Sequence, residues 1–186
     1  MYFDQYRYID YGSVIMGLKE MKKKTKRLTI ILTVIYAVMM MWIILFKMST
    51  LSELSGLAQI RSINLIPFHY DVEMAFHMSE VRNNIAIFVP LGVYLKMLKF
   101  SGKKAVIYGA GFSLSLEILQ FVIGLGATDI TDFITNTLGT VVGVCIYGIL
   151  LLIFRKEEKL NRALNALALV CTVLLATFIT LLLVLN

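Results

Sequence analysis

The stretch Ser113–Gly143, SLSLEILQFVIGLGATDITDFITNTLGTVVG, holds two apolar runs separated by a short polar turn, ATDITD. Because the turn is short, the two runs predict a pair of antiparallel helices. Glu117 lies deep in the first run, where a carboxylate costs several kcal/mol unless it is paired, protonated or facing a polar cavity. Glu117 is therefore the first candidate functional residue.

The whole chain has the composition of an integral membrane protein. Its 186 residues are 59% apolar and only 16% charged, and the mean hydropathy is +0.80, which excludes an ordinary soluble domain. Five runs are about long enough to cross a hydrocarbon core of roughly 30 Å. They are 28–46, 84–98, 105–124, 133–154 and 163–185. None alternates like a barrel strand, so we predict an all-α, polytopic bundle of about five transmembrane helices.

The net charge of +6 could indicate a nucleic-acid partner, but the distribution of the basic residues indicates membrane topology instead. Fifteen of the 18 Lys and Arg fall in three clusters, within residues 7–27, 96–104 and 155–162. With five spans, all three clusters lie on one side, which the positive-inside rule makes cytoplasmic. We therefore predict an inside N-terminus, an outside C-terminus and no nucleic-acid partner.

These spans divide the chain into three parts. Residues 1–27 are predicted to be a cytoplasmic tail, although Met21 begins a basic and then apolar sequence typical of a chain start, which would make the preceding residues an upstream extension. Residues 28–154 form the membrane core, with an outer loop at 47–83. Residues 155–186 form a basic cytoplasmic loop and the fifth helix. The first run has no A-x-A-like end, which favours a retained helix over a signal peptide.

Neither a disulfide, a metal site nor a cofactor is predicted. Cys145 and Cys171 lie in apolar runs, where a thiol acts as a small hydrophobe. The outer loop holds His69 and His77 without a cysteine or a third histidine nearby, so we interpret them as loop residues. A zinc site there is the alternative, and its further ligands would be acidic: Asp71, Glu73 and Glu80.

Polar and small residues share one face of the third span. They follow one another at spacings of four, four, three and four, which is the spacing of a single helical face. They are Gly109, Ser113, Glu117, Gln120 and Gly124. Lipid cannot solvate such a face, so we expect it to point into the bundle.

A second polar face belongs to the fourth span. Asp129 and Asp132 stand at or before the start of that helix, where carboxylates cap free backbone N–H groups. One face then continues in the order Asp132, Asn136, Gly139 and Gly143. The two glycines form a GxxxG pair, which permits close helix packing. Because only a short loop joins the two helices, we expect this face to pack on the Glu117–Gln120 face.

The second span is marked by Pro90 and Gly92. Pro90 cannot donate a backbone hydrogen bond, so it kinks the helix or leaves an acceptor free. Gly92 permits the close approach of another helix. Asn84 and Phe88 lie one turn apart on one face of the same span. In the loop before it, Pro67 restricts the preceding residue to extended geometry, so the chain should turn or run extended there.

Together these residues resemble the VanZ-like family of bacterial membrane proteins, through four motifs that occur in the family's order. The motifs are NLIPF at Asn64 to Phe68, N-x-x-x-F-x-P-x-G at Asn84, Phe88, Pro90 and Gly92, E-x-x-Q at Glu117 and Gln120, and D-x-x-D-x-x-x-N-x-x-G at Asp129, Asp132, Asn136 and Gly139. Each motif alone is weak, but four in order are specific. The resemblance covers roughly residues 28–154 and implies a role in the cell envelope. The family's namesake is associated with resistance to teicoplanin-type glycopeptide antibiotics.

The first functional hypothesis is a polar pocket at the outer end of the second to fourth helices, in the bacterial cell membrane. It would bind an amphiphile, either a lipoglycopeptide antibiotic or an envelope lipid or precursor. The candidate ligand-binding residues are Asn84, Glu117, Gln120, Asp129, Asp132 and Asn136. Membrane lipids are the expected partners, and a homo-oligomer is compatible with the sequence.

Two other functions stay open at this point. A membrane enzyme that modifies a lipid or envelope precursor would use Glu117 with Asp129 or Asp132 as an acid–base pair, although no serine or cysteine nucleophile stands beside a histidine. A small transporter is the third possibility, although the sequence shows no internal repeat. The simplest alternative is that the polar residues and glycines only hold helices together.

Overall fold

The computed structural model describes residues 11–46, 60–68 and 74–185. These residues form five helices and two short strands. The helices are α1 (Tyr11–Phe46), α2 (Met74–Met97), α3 (Gly102–Ile123), α4 (Ile130–Phe154) and α5 (Glu157–Leu185), and the strands are β1 (Ile60–Asn64) and β2 (Leu125–Asp129). The predicted all-α bundle is confirmed for this part of the chain. The small sheet is an addition that the sequence pattern does not predict.

Four helical segments are long and apolar enough to cross a membrane. They are Lys19–Leu45, Gly102–Ile123, Ile130–Phe154 and Glu157–Thr177. Helix α2 is 24 residues long, but its first half is polar, with Glu80, Arg82 and Asn84. Composition alone therefore does not identify α2 as a span, and its place in the bundle depends on its packing against α4.

Several helices begin earlier than the apolar runs that predict them. Helix α1 begins at Tyr11 rather than at residue 28, and α2 begins at Met74 rather than at residue 84. Both therefore extend into segments predicted as tail and outer loop, because hydropathy locates the membrane boundary while backbone hydrogen bonding carries the helix past it. Residues outside the described part include His69, Asp71 and Glu73, and the side chain of His77 is also outside it.

Helices α2 and α4 are in backbone contact through glycines. A Cβ added to Gly139 would overlap the carbonyl oxygen of Ile85, and one added to Gly143 would overlap that of Val89. A Cβ on Gly92 would in turn overlap the carbonyl oxygen of Thr140. The expectation that the GxxxG pair packs on α3 is therefore wrong. Small residues on both helices allow the closest approach, and α2 supplies Gly92 opposite this pair.

The polar face of α3 points into the bundle, as predicted. The exposed fraction is 0% for Ser113, 2% for Glu117 and 5% for Gln120. Gly109 on the same face lies against Thr140 of α4, since a Cβ there would overlap the threonine side chain. Helix α4 thus packs on α2 with its glycines and on α3 with its polar residues.

The turn between α3 and α4 contributes one strand, β2, to the sheet that the sequence does not predict. Gly124 ends α3 with a φ of 76°, a left-handed conformation that favours glycine. Strand β2 follows at once and pairs in parallel with β1, in a register that runs from Ile60 opposite Leu125 to Asn64 opposite Asp129. The sheet therefore places the end of β1 beside the start of α4.

The basic clusters of the described residues meet at one end of the bundle, which we call the basic end (residues 19–27, 96–104 and 155–162). Lys22 Nζ lies 3.9 Å from Glu158 Oε2, and Lys99 Nζ lies 3.7 Å from Glu157 Oε2. These contacts connect α1, the end of α2 and the start of α5. They agree with the predicted grouping of the clusters on one side. The inside position of the N-terminus stays a prediction.

Helix α5 lies at the periphery of the bundle, and its side chains at Leu167, Val170 and Leu174 are 62%, 56% and 64% exposed. This agrees with the expectation of a lipid-facing helix. Buried polar contacts also attach it to α1, because Asn165 Nδ2 donates to Thr29 Oγ1 at 3.0 Å and to the backbone oxygen of Thr25 at 3.1 Å, and the asparagine is 2% exposed. The sequence analysis missed these contacts.

Candidate functional site

The N-terminus of α4 is the point at which the predicted motifs meet. Asp129 is the N-cap of α4, and its Oδ1 accepts a hydrogen bond from Thr131 N at 2.7 Å. Asp132 lies in the first turn of the same helix, where a carboxylate interacts favourably with the helix dipole. The predicted capping role is therefore confirmed for Asp129. This end, opposite the basic end, is called the outer end below, after the side of the membrane that the positive-inside rule predicts for it.

The NLIPF segment is attached to this helix start by two hydrogen bonds. Asn64 Nδ2 donates to Asp129 Oδ2 at 3.2 Å, and Phe68 N donates to Thr131 Oγ1 at 3.1 Å. The chain turns between them, as Pro67 predicts. Phe68 has a φ of 55°, a left-handed conformation that costs a non-glycine residue about 1–2 kcal/mol. The bond to Thr131 helps to hold this turn, which the sequence analysis did not foresee.

The same segment and the residue before it, Ile63, present apolar side chains at the outer end. Ile63, Leu65, Ile66 and Phe68 are between 55% and 70% exposed. Single exposed apolar residues are common, but four within one short, attached segment form a patch. We call these four residues the apolar lip. It lies beside a helix start that carries two half-buried carboxylates, Asp129 and Asp132.

Helix α2 contributes Asn84 to the site. Its Nδ2 donates to Asp132 Oδ1 at 2.7 Å. A hydrogen bond to a carboxylate is roughly twice as strong as one between neutral groups, so this contact both orients Asp132 and joins α2 to α4. The sequence predicts both residues in one pocket, and the structure brings them together.

Glu117 is buried and directed towards the same helix start. Its Oε2 accepts a hydrogen bond from Asp129 N at 3.1 Å, and its backbone oxygen accepts one from Thr128 Oγ1 at 3.1 Å. A buried carboxylate needs such donors to offset its desolvation. The polar turn that follows α3 thus folds back and donates a hydrogen bond to Glu117.

Two amides, Gln120 and Asn136, are also buried in the bundle. Asn136 Nδ2 donates to Ser113 Oγ at 3.0 Å, which joins α4 to α3. Gln120 Nε2 donates to the backbone oxygen of Ile44 at 3.1 Å, so this hydrogen bond joins α3 to α1. Among the described residues, no donor reaches Gln120 Oε1 or Asn136 Oδ1, although both side chains are buried. Each is a buried acceptor that a further donor would stabilise.

Removing the cap of α4 is expected to destabilise the protein. Asp129→Ala should lower the free energy of unfolding by about 1–2 kcal/mol, because an N-cap bond is lost together with the acceptor for Asn64. Asp129→Asn is the matched control, since asparagine caps helices as well as aspartate. Thermal unfolding of the purified chain in detergent measures both. Equal losses for the two variants would contradict the capping role.

The family model described as VanZ/LLP1 matches residues 33–155 of this chain. The chain belongs to the VanZ-like family. It is 35% identical to "Protein VanZ" of Enterococcus faecium over 154 residues, which are 80% of this chain and 91% of that protein. No solved structure matches the chain.

The part of the chain matched by the VanZ-like family contains all six predicted ligand-binding residues and all four motifs. The motifs are far apart in the sequence, yet the structure connects each of them to the first turns of α4 through the bonds described above. Helix α5 lies beyond the matched residues. The resemblance predicted from the four motifs is therefore confirmed.

Proposed function

We propose that this VanZ-like chain is a multi-pass protein of the bacterial cell membrane that lowers susceptibility to teicoplanin-type glycopeptides. It would do so by binding an amphiphile, the lipoglycopeptide or an envelope lipid, at the outer end of α2, α3 and α4. The observation that carries the proposal is the convergence of Asn64, Asn84 and Glu117 on the start of α4, directly beside the apolar lip.

The chemistry of this end suits a molecule with a polar head and an apolar tail. The half-buried carboxylates of Asp129 and Asp132 accept hydrogen bonds from the amides and amines of a peptide or sugar head group. Leu65 and Ile66 are 70% and 60% exposed, and each can bury apolar surface against an acyl tail. A ligand that makes both contacts binds where the membrane surface meets the polar end of the bundle.

The buried amides support the same proposal. A buried acceptor without a donor costs about 1–3 kcal/mol, and Gln120 Oε1 and Asn136 Oδ1 lack a donor among the described residues. Donors on a ligand head group that reached these two oxygens would remove that cost. Binding would then use polar groups already held in place by Ser113 and Ile44.

The orientation follows from the charges. The basic end carries the three clusters that the positive-inside rule assigns to the cytoplasm, so Asp129 and the apolar lip face the outer surface.

Shortening the apolar lip tests the binding proposal. Leu65→Ser should leave the fold intact, because the side chain is 70% exposed. If the leucine contacts an acyl tail, its loss removes about 1.5–3 kcal/mol of burial, or roughly tenfold or more in affinity. The measurement is the amount of a fluorescent teicoplanin-type lipoglycopeptide retained by cells that express the full chain, together with their susceptibility.

Met16→Ser is the matched control. Met16 is also apolar and 66% exposed, but it lies near the start of α1, next to the basic end and away from the apolar lip. Identical retention for both variants and the unchanged protein would contradict the proposal. Mass analysis of the antibiotic and the envelope lipids from the same cells separates binding from catalysis. A new covalent product would replace the binding function with an enzyme.

A further inference from the structure

An apolar groove of about 360 Å³ lies between α2 and α5, and α1 forms its floor. None of the six predicted ligand-binding residues lines it. Tyr36 and Met40 come from α1, Pro90 and Tyr94 from α2, and Leu167 and Cys171 from α5. Tyr36 also donates its hydroxyl hydrogen to the Ile87 carbonyl oxygen, which fixes the floor against α2.

The length of the groove fits a hydrocarbon chain in one leaflet of the bilayer. Its α5 wall runs from Leu164 to Leu175, about 17 Å at 1.5 Å per residue, which is close to half of a hydrocarbon core of roughly 30 Å. The groove thus has the depth of one leaflet.

The groove also has a charged side. Met97 and Leu164 mark the limit of its lining nearest the basic end, and Lys99 and Arg162 lie two residues from them along the chain. Both cations also pair with glutamates of α5, so the attraction for an anion comes from the excess of cations in the whole cluster. The described part of the basic end holds fourteen Lys and Arg against three Glu. Such a cluster next to a membrane attracts anionic head groups.

We propose that the groove binds one acyl chain of an anionic phospholipid whose phosphate lies against the basic end. The apolar lining selects a hydrocarbon chain, and the excess of cations selects the head group. Helix α5 forms one wall and lies beyond the residues that the family model matches. None of the residues of the proposed outer site lines the groove, so this site is separate from the outer site and does not depend on it.

The first test fills the groove in the full-length protein. Leu167 lines the groove and is 62% exposed, whereas Leu174 is 64% exposed on the same helix and lies outside the lining. In native mass spectra of the detergent-solubilised chain, phosphatidylglycerol should bind roughly tenfold more tightly than phosphatidylcholine. Leu167→Trp should abolish that preference, and Leu174→Trp should retain it.

The second test uses the unchanged protein, because both of its cysteines are exposed. Cys171 lines the groove and Cys145 does not, so phosphatidylglycerol should slow the alkylation of Cys171 by N-ethylmaleimide and leave Cys145 unaffected. Three results would overturn the proposal: equal binding of the two lipids, equal protection of the two cysteines, or a dimer mass that Leu167→Trp removes. The last result would assign the groove to a second copy of the chain.

Discussion

Gly143→Ala is expected to destabilise the folded protein by about 3 kcal/mol, which is the upper range for overpacking a helix interface. The added methyl group would overlap the Val89 carbonyl oxygen and lie 3.0 Å from the Gly92 Cα. Backbone atoms of a helix cannot rotate away as a side chain can. Helices α2 and α4 must therefore separate, and the Asn84–Asp132 bond between the same two helices should weaken with them.

Gly148→Ala is the matched control, because it lies five residues further along α4 and no atom is within 4 Å of the added Cβ. Alanine is favoured over glycine in a helix by about 1 kcal/mol, so this variant should be neutral or slightly stabilised. The unfolding midpoints of the two variants are compared by heating each purified chain in detergent and following its circular dichroism. Similar midpoints would mean that α2 and α4 are not in backbone contact.

Glu117→Gln is expected to remove protection against teicoplanin-type glycopeptides while the protein is still made and folded. An amide oxygen can still accept the hydrogen bond from Asp129 N, so the turn between α3 and α4 should persist. Replacing a charged acceptor by a neutral one weakens such a bond by about 1 kcal/mol. The larger effect should be on the ligand, because the change removes an ionisable group from the proposed outer site.

This expectation is checked by measuring the susceptibility to teicoplanin-type glycopeptides of cells that express each variant. The amount of the protein in the membrane is measured in parallel. Glu20→Gln is the control, since it removes a carboxylate from α1 at the basic end. Glu117→Ala would leave Asp129 N without its acceptor and should cost about 1–3 kcal/mol of stability. Full protection by Glu117→Gln at normal protein levels would show that ionisation of Glu117 has no part in the function.

The polar site was largely visible in the sequence because its residues are unusual for their surroundings. Carboxylates and amides in apolar helices are costly, so the periodicity around Glu117 predicted a buried face, and the polar turn predicted a capped helix start at Asp129. The interactions of Phe68 with Thr131 and of Asn165 with Thr29 were missed. Thr131 and Thr29 look like ordinary helix residues, and their partners lie 63 and 136 residues away along the chain.

The sequence alone determined the all-α class, the grouping of the basic residues and the identity of the candidate residues, because burial and charge act on each residue individually. Only the tertiary structure decided which helices are neighbours. Adjacency in the chain pointed to α3 as the partner of Gly139 and Gly143, but α2 fits them more closely because Gly92 stands opposite. The parallel pairing that brings Asn64 to Asp129 likewise depends on two distant strands, which no local pattern specifies.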